Sequence, residues 1–420
     1  MSGQAPQRIR PRFGVKTFAA LRFREFRLLW FAQVGTGFAQ QGEMLTRSWL
    51  ILQLTEGSGV MLAAVHITRA FGTVGATPFA GVLADRYDRR LLMIFANIIK
   101  AVSFVGIGLL VLIDLIEVWH VIASAVIAGA GMAIQQTSSQ AVIPSLVPRE
   151  GIMNAVALHS VTQGVDRIIG PFLAGLLIAL IGVQGAYFAA AGALVIPVVL
   201  YARMRPLKLA DAGSSADGTK ESFFTRYKDG IRFAIHNPAV RVVMLVTITT
   251  MTLAIPFQQL MPLYVTDVLE RGPATLGLIL SVPGFLTVAG GLFAASLGDF
   301  PYKGRLLFIA VVSPGIAAVV LSQTSVLWVA ILGFSIYGAG VSQYGPASRS
   351  AVMKATPEAM RGRVSSVLAM NQGWSSGGVM LYGIVADWAG IQTAFLLFGS
   401  LSVILNVTYF VTIRAYRQLS

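Results

Sequence analysis

The 420-residue chain has no cysteine, which removes disulfides, thiolate nucleophiles and thiolate metal sites together. Charge is scarce as well. Only 12% of residues are Asp, Glu, Lys or Arg, against about 25% in an average soluble domain. The four histidines, His66, His120, His159 and His236, lack metal-ligand spacing, and no glycine loop followed by Lys and Ser or Thr offers a phosphate cradle. No enzyme, cofactor or metal is expected, and ATP does not energise the chain directly. Strands that alternate apolar and polar residues over about 10 positions, as outer-membrane barrels require, are also missing. What the chain has instead is apolar surface: 55% of its residues are hydrophobic and its mean hydropathy is +0.72.

That surface comes in runs of about 20 residues, the length of a membrane-crossing helix. Twelve candidate helices follow: 26–54, 59–84, 90–113, 119–145, 152–181, 184–203, 238–265, 274–298, 304–322, 325–350, 361–386 and 391–413. The first run contains Glu43 and Arg47 and is too long for a cleaved signal, so it is read as a retained span. The expected fold is all-α and membrane-embedded, with an N-terminal six-helix bundle over 1–203, a linker over 204–237 and a second bundle over 238–420. The linker mixes Gly, Ser and Asp with an amphipathic stretch in which Phe223, Phe224, Tyr227 and Phe233 interleave with Arg226, Lys228 and Arg232.

The net charge of +14 sits almost wholly in alternate gaps between runs, from Arg8 to Arg27, at Arg86 to Arg90, and at Lys303 to Arg305, among others. The opposite gaps hold only Arg271. Such placement argues against a nucleic-acid partner and puts both termini and the linker on the cytoplasmic side. The halves also echo each other. ADRYDRR after the second span is matched by GDFPYKGR after the eighth, so Asp85 and Asp299 each precede a basic residue, Arg89 and Lys303, by four.

The loop Gly81-Val82-Leu83-Ala84-Asp85-Arg86-Tyr87-Asp88-Arg89-Arg90 closely resembles the signature between spans two and three of the major facilitator superfamily, and the resemblance covers essentially the whole chain. Asp88 departs from it where glycine is usual. LVPRE, RIIGPFLAGLL and RGRVSS are most similar to the twelve-span bacterial exporter group that contains enterobactin-type siderophore exporters and macrolide-efflux-like proteins. The resemblance implies two six-helix halves in a bacterial cytoplasmic membrane, related by an axis along the membrane normal. It also implies a switch. Asp85 would meet the positive N-terminus of the eleventh span near Arg361 and Arg363 in one state and release it in the other, and Asp299 would do the same near Arg149. Arg86, Arg89, Arg90, Lys303 and Arg305 belong to the same loops. Gly81 is expected to let the second helix approach a neighbour closely.

Charge inside a span is costly and points to function. Only Glu43 and Asp166 are acidic and well inside a predicted crossing. Thr36, Gln40, Glu43 and Arg47 share one face of the first helix by spacing, a stripe expected to line a central cavity. Glu43 is a proton-coupling candidate with Arg47 as its partner; a static pair that fixes the helix is the alternative. On the fifth helix Asp166 is the second candidate, with Arg167 either its partner or an anchor for an anionic substrate, and His159 and Gln163 on the same face. His66, Arg69, Gln136, Gln259, Gln343, Tyr344, Gln372 and Trp374 are cavity-lining candidates, each with interhelical packing as the alternative. Lys100 and Arg349 read as snorkelling cations. The expected function is secondary active, proton-coupled efflux of a small amphipathic molecule by alternating access, with protons and lipid as further partners and a monomer as the expected form. An uptake symporter or a lysophospholipid-type flippase of the same architecture is the alternative.

Overall fold

The computed structural model describes residues 18–206, 232–233, 235–297, 303–357, 360 and 371–417. The expected amphipathic linker segment from Phe223, Asp299, and the helix start at Arg361 and Arg363 lie outside the described residues. Lipid offers no partner to backbone N–H and C=O groups, so a crossing chain must satisfy them internally, and the described residues contain helices and no strand. The helices are α1 (Arg24–Leu54), α2 (Gly59–Arg86), α3 (Arg89–Leu112), α4 (Val118–Leu146), α5 (Ile152–Ala193) and α6 (Val195–Ala202), then α7 (Pro238–Thr249), α8 (Met261–Asp267), α9 (Pro273–Leu297), α10 (Lys303–Ser322), α11 (Leu327–Ala355), α12 (Asn371–Ala389), α13 (Ile391–Thr412) and the short α14 (Arg414–Arg417). A π turn at Thr250–Ala254 and a 3-10 turn at Pro256–Leu260 join α7 to α8.

Eight segments are long and apolar enough to cross a membrane, and one of them, Arg149–Ala202, has 54 residues. Inside it Gly182 takes φ +75°, a left-handed conformation that favours glycine. There the chain doubles back. Asn154 and Leu158 before the break, and Arg203 and Arg205 after it, all bond to the first turns around Ala20, Glu25 and Trp30. Counting this segment as two and adding α1, α9 and α12 would match the expected twelve crossings; of these three, α9 is apolar from Pro273 to Leu286 among the described residues. In α1, Gln33, Thr36, Gln40, Glu43, Arg47 and Ser48 interrupt the apolar run.

Three apolar cores organise the bundle. One lies within the N-terminal helices at the basic end and includes Phe26, Leu29, Met93, Val142, Leu158 and Tyr201. A second lies within the C-terminal helices and includes Val243, Leu307, Val311, Ala347 and Tyr416. The third spans both sets: Leu50, Leu62, Phe104 and Tyr187 join Phe257, Tyr264, Phe334, Phe395 and Tyr382 in one cluster. The two sets of helices thus keep separate cores towards the basic end and share one towards the opposite end. Glycines bring the backbones together there. A side chain on Gly383 would begin 2.6 Å from the Gly59 carbonyl oxygen, and one on Gly175 would begin 2.4 Å from that of Pro273, so α12 seats on α2, and α9 on α5, only where side chains are absent.

A charge completes the closure. Asp387 at the end of α12 accepts hydrogen bonds from the Ser58 hydroxyl at 2.9 Å and from the backbone N–H groups of Gly59 and Val60, the first turn of α2. A carboxylate at a helix N-terminus meets unpaired N–H donors and the positive end of the helix dipole. For an exposed site this contributes about 1–2 kcal/mol, roughly a tenfold bias in a two-state equilibrium. Asp387→Asn is therefore expected to favour opening at this end. In a Leu62→Cys background, otherwise free of thiols, a membrane-impermeant maleimide added from the Ser58 side should react severalfold faster once Asp387 is replaced. An unchanged labelling rate would remove Asp387 from the closure.

Candidate functional site

Between the two sets of helices lies a cavity of three connected lobes. The central lobe, of about 390 Å³, is lined by Gln41, Met44, His66 and Arg167 on one side and by Gln258, Gln259, Leu280 and Tyr337 on the other. A second, of about 250 Å³, lies among the N-terminal helices and includes Gln33, Gln40, Gln136, His159, Gln163, Asp166 and Arg167. The third, of about 150 Å³, lies between α2 and α12 against His66, Arg69, Thr73, Gln259, Ser375 and Ser376.

The first helix does not present its expected stripe to this cavity. The cavity face of α1 runs through Gln33, Gly37, Gln41, Met44 and Ser48, rotated by about one residue. Of the predicted set, Thr36 and Gln40 reach the second lobe, whereas Glu43 and Arg47 are fully buried among the N-terminal helices. There Arg47 Nη1 donates to Glu43 Oε1 at 2.8 Å, a pair one turn apart. Glu43 Oε2 and Arg47 Nε and Nη2 have no partner. Lys100 shares this interior. It is 2% exposed, its ammonium has no partner, and its stem packs beneath Gly131. The snorkelling assignment is corrected, because mid-way along α3 a lysine stem cannot reach either interface.

Asp166 and Arg167 are adjacent in sequence but form no ion pair, so the expected partnership of the two is absent among the described residues. Asp166 turns onto α1, where the missing side chain of Gly37 makes room: a Cβ there would fall 1.7 Å from Asp166 Oδ2. Among the described residues its Oδ1 has no hydrogen-bond partner. Arg167, an exposed residue, lines both the central and the second lobe. Nearby, His159 Nδ1 lies 2.6 Å from Gln33 Oε1, and His159 Nε2 lies 3.0 Å from Gln163 Nε2. A neutral ring that donates from Nδ1 and accepts at Nε2 satisfies both contacts. Arg69 lines the third lobe, its guanidinium against the thioethers of Met44 and Met132 at 3.2 and 3.6 Å.

In the second half Gln259 lines two lobes. Tyr344, expected at the cavity, is instead buried in the C-terminal core, where its hydroxyl donates to Thr247 Oγ1 at 2.9 Å. Gln343 donates to Ser342 Oγ at 3.2 Å, and Trp374 is 43% exposed; neither lines a lobe described above. The side chain of Gln372 lies outside the described residues. Three contributors had no signal in the spacing: Gly37, Tyr337, whose hydroxyl donates to Gln258 Oε1, and Asn97, which links Gln135 and Thr36 and, through Gln135, Tyr201.

At the end of α2, Asp85 and Arg86 are exposed. Arg89 donates to the carbonyls of Ala84 at 3.1 Å and Ala141 at 2.9 Å, bracing the ends of α2 and α4, and Arg90 donates to that of Met204. The Asp88 side chain accepts from the Arg90 N–H at 2.9 Å as the N-cap of α3, which accounts for an acidic residue where glycine is usual. Among the described residues nothing lies within 4 Å of where a side chain on Gly81 would start, so the expected close approach is absent. It occurs further along α2, at Gly72 against Val126. In the matching loop of the second half Arg305 is exposed, and the side chain of Lys303 lies outside the described residues.

Residues 15–418 match the family described as transmembrane secretion effector. The multidrug efflux pump Tap of Mycolicibacterium fortuitum is 25% identical over 88% of this chain and 91% of its own length. Macrolide efflux protein A of Streptococcus pyogenes is 25% identical over 85% and 89%. Among solved structures, the nucleoside transporter NupG superposes with a TM-score of 0.73 at 13% identity, covering 93% of this chain and 99% of its own, a likeness of fold.

The contact between Asp166 and α1 is open to test. Gly37→Ala places a methyl on the carboxylate and is expected to cost about 1–3 kcal/mol, read as a lowered melting temperature in detergent. Gly75→Ala, where nothing lies within 4 Å, is the control. Equal melting temperatures for the two variants would refute the contact.

Proposed function

Since the chain belongs to the transmembrane secretion effector family of the major facilitator superfamily, we propose that it is a secondary active exporter. It moves a small amphipathic molecule, drug-like or siderophore-like, out across the bacterial inner membrane in exchange for protons, by alternating access. The observation that carries this reading is the asymmetry of closure. One end is sealed by a shared core and by Asp387 on the start of α2, while towards the other end the cores separate and a cavity holds a carboxylate oxygen without a partner. The placement of Lys and Arg assigns the open end, with both termini, to the cytoplasm, so this arrangement is the inward-facing one.

In the cycle the halves 1–203 and 238–420 rock as units about the linker 204–237. When the cytoplasmic end closes, Asp85 docks on the start of the eleventh span near Arg361 and Arg363, and Asp299 takes the matching position near Arg149. Asp166 is the proton carrier, because it is the carboxylate that borders the cavity. Glu43, held by Arg47 away from the cavity, fixes the charge of the N-terminal half. Proton entry supplies about 2.3 kcal/mol per charge per 100 mV, and no cofactor takes part. The protein works as a monomer.

In energised inverted vesicles a substrate found by screening siderophores, macrolides and lipophilic cations should accumulate only while the proton gradient stands. Accumulation without it would refute coupling, and accumulation in right-side-out vesicles instead would make the protein an uptake symporter. Asp166→Asn is expected to abolish gradient-driven accumulation while binding stays measurable. Glu43→Gln leaves the Arg47 charge buried without its counterion and should lower folded yield before it alters coupling. Wild-type transport by Asp166→Asn would overturn the proton assignment.

A further inference from the structure

The two walls of the cavity differ in charge. On the side of α7 to α12 the lining consists of apolar groups, amides, hydroxyls and the Tyr337 ring, and among the described lining residues it carries no ionisable acid, lysine or arginine. Among the described lining residues the charge stands on the other wall. Arg69 and Arg167 border the lobes with Asp166, and behind them are Arg47, Glu43 and Lys100. Four cations face two carboxylates. Glu43 pairs with Arg47 at 2.8 Å and its field also reaches Arg69 and Lys100, so one carboxylate is shared among three cations. The histidines do not restore balance in the other direction, since His66 contacts the Ser48 hydroxyl at 3.4 Å and His159 is bracketed by two amides.

None of the three remaining cations makes an ion pair with a described residue. The Lys100 ammonium is buried without a partner. Arg69 touches two thioether sulfurs, weak acceptors that leave its charge uncompensated, and its Nε is unpaired. Arg167 lines two lobes. Uncompensated cations inside a bundle in lipid are costly, and the cost falls when a ligand brings the opposite sign. A guanidinium is also suited to a planar oxyanion, which it binds through two parallel hydrogen bonds.

From this we infer that the transported molecule is an amphipathic anion: its acidic end meets Arg167 and Arg69, and its apolar body lies on the opposite wall against Leu280, Val341 and Tyr337. The inference rests on the exporter reading for what the cavity is for, but the charge preference belongs to the cavity itself and is measurable without transport. It excludes lipophilic cations as preferred cargo.

The test is equilibrium binding to the purified full chain in nanodiscs of uncharged lipid. Three fluorescent probes share a pyrene body and end in a butanoate, a butanamide or a butylammonium group. The carboxylate should bind about tenfold more tightly than the amide, the gain of one charge-assisted contact, and the ammonium should bind most weakly. Arg167→Gln should reduce the carboxylate-to-amide ratio about tenfold, and Arg167→Lys, which keeps the charge but not the fork, should restore part of it. Arg69→Gln provides a second, independent reduction. Equal binding of carboxylate and amide, tighter binding of the ammonium, or a ratio indifferent to both substitutions would overturn the inference. Failure of gradient-driven transport with the binding preference intact would instead count against the exporter reading alone.

Discussion

A carboxylate on the first turn of a helix holds the two halves of this protein together at one end. Asp387 reaches from the last residues of α12 to the exposed N–H groups of α2, beneath which glycine-to-glycine contacts and a shared aromatic core finish the seal. The position of the cavity follows. With one end fused, the separate cores at the other end leave room between them, and the polar groups of α1, α4 and α5 line that room. The family resemblance implies a second carboxylate of this kind, Asp85, at the far end of the same α2.

The second constraint is electrostatic. A bundle in lipid tolerates buried charge only in pairs or beside water and ligand, and the N-terminal half carries more cations than it neutralises. The Glu43–Arg47 pair is complete within a single helix and would persist in any arrangement of the halves. Asp166, Arg167 and Arg69 differ in that each borders the cavity. Charge on one wall and apolar surface on the other give the cavity a polarity of its own.

Much of this was legible in the residues. Apolar runs gave the helices, the break near residue 182 was visible as a gap between two runs, and ADRYDRR marked the loop after α2. The errors share a cause. Spacing groups residues on a helix face but does not say where the face points, so of the stripe Thr36, Gln40, Glu43 and Arg47 the first two border the cavity and the last two turn into the N-terminal helices. Tyr344 was misplaced for the same reason. Lys100 was read by its distance from a helix end, which cannot register that Gly131 on another helix opens a slot for its stem. Gly37 and Asp387 were silent because their roles depend on a partner 129 and 328 residues away.

The seventh crossing differs from the first in one respect. Where α1 runs unbroken for 31 residues, α7 gives way to the π turn, in which the Ile255 N–H bonds to Thr250 O at 3.0 Å, and then to the 3-10 turn. Met251, Ile255, Gln258 and Gln259 of this irregular stretch all face the cavity. Mid-helix π and 3-10 turns often mark hinges and functional sites. The uncharged wall is therefore the compliant one, able to mould itself to bodies of differing outline while the rigid charged wall keeps a fixed grip on the head. Selectivity would then be strict about an ionic group and lenient about the skeleton that bears it.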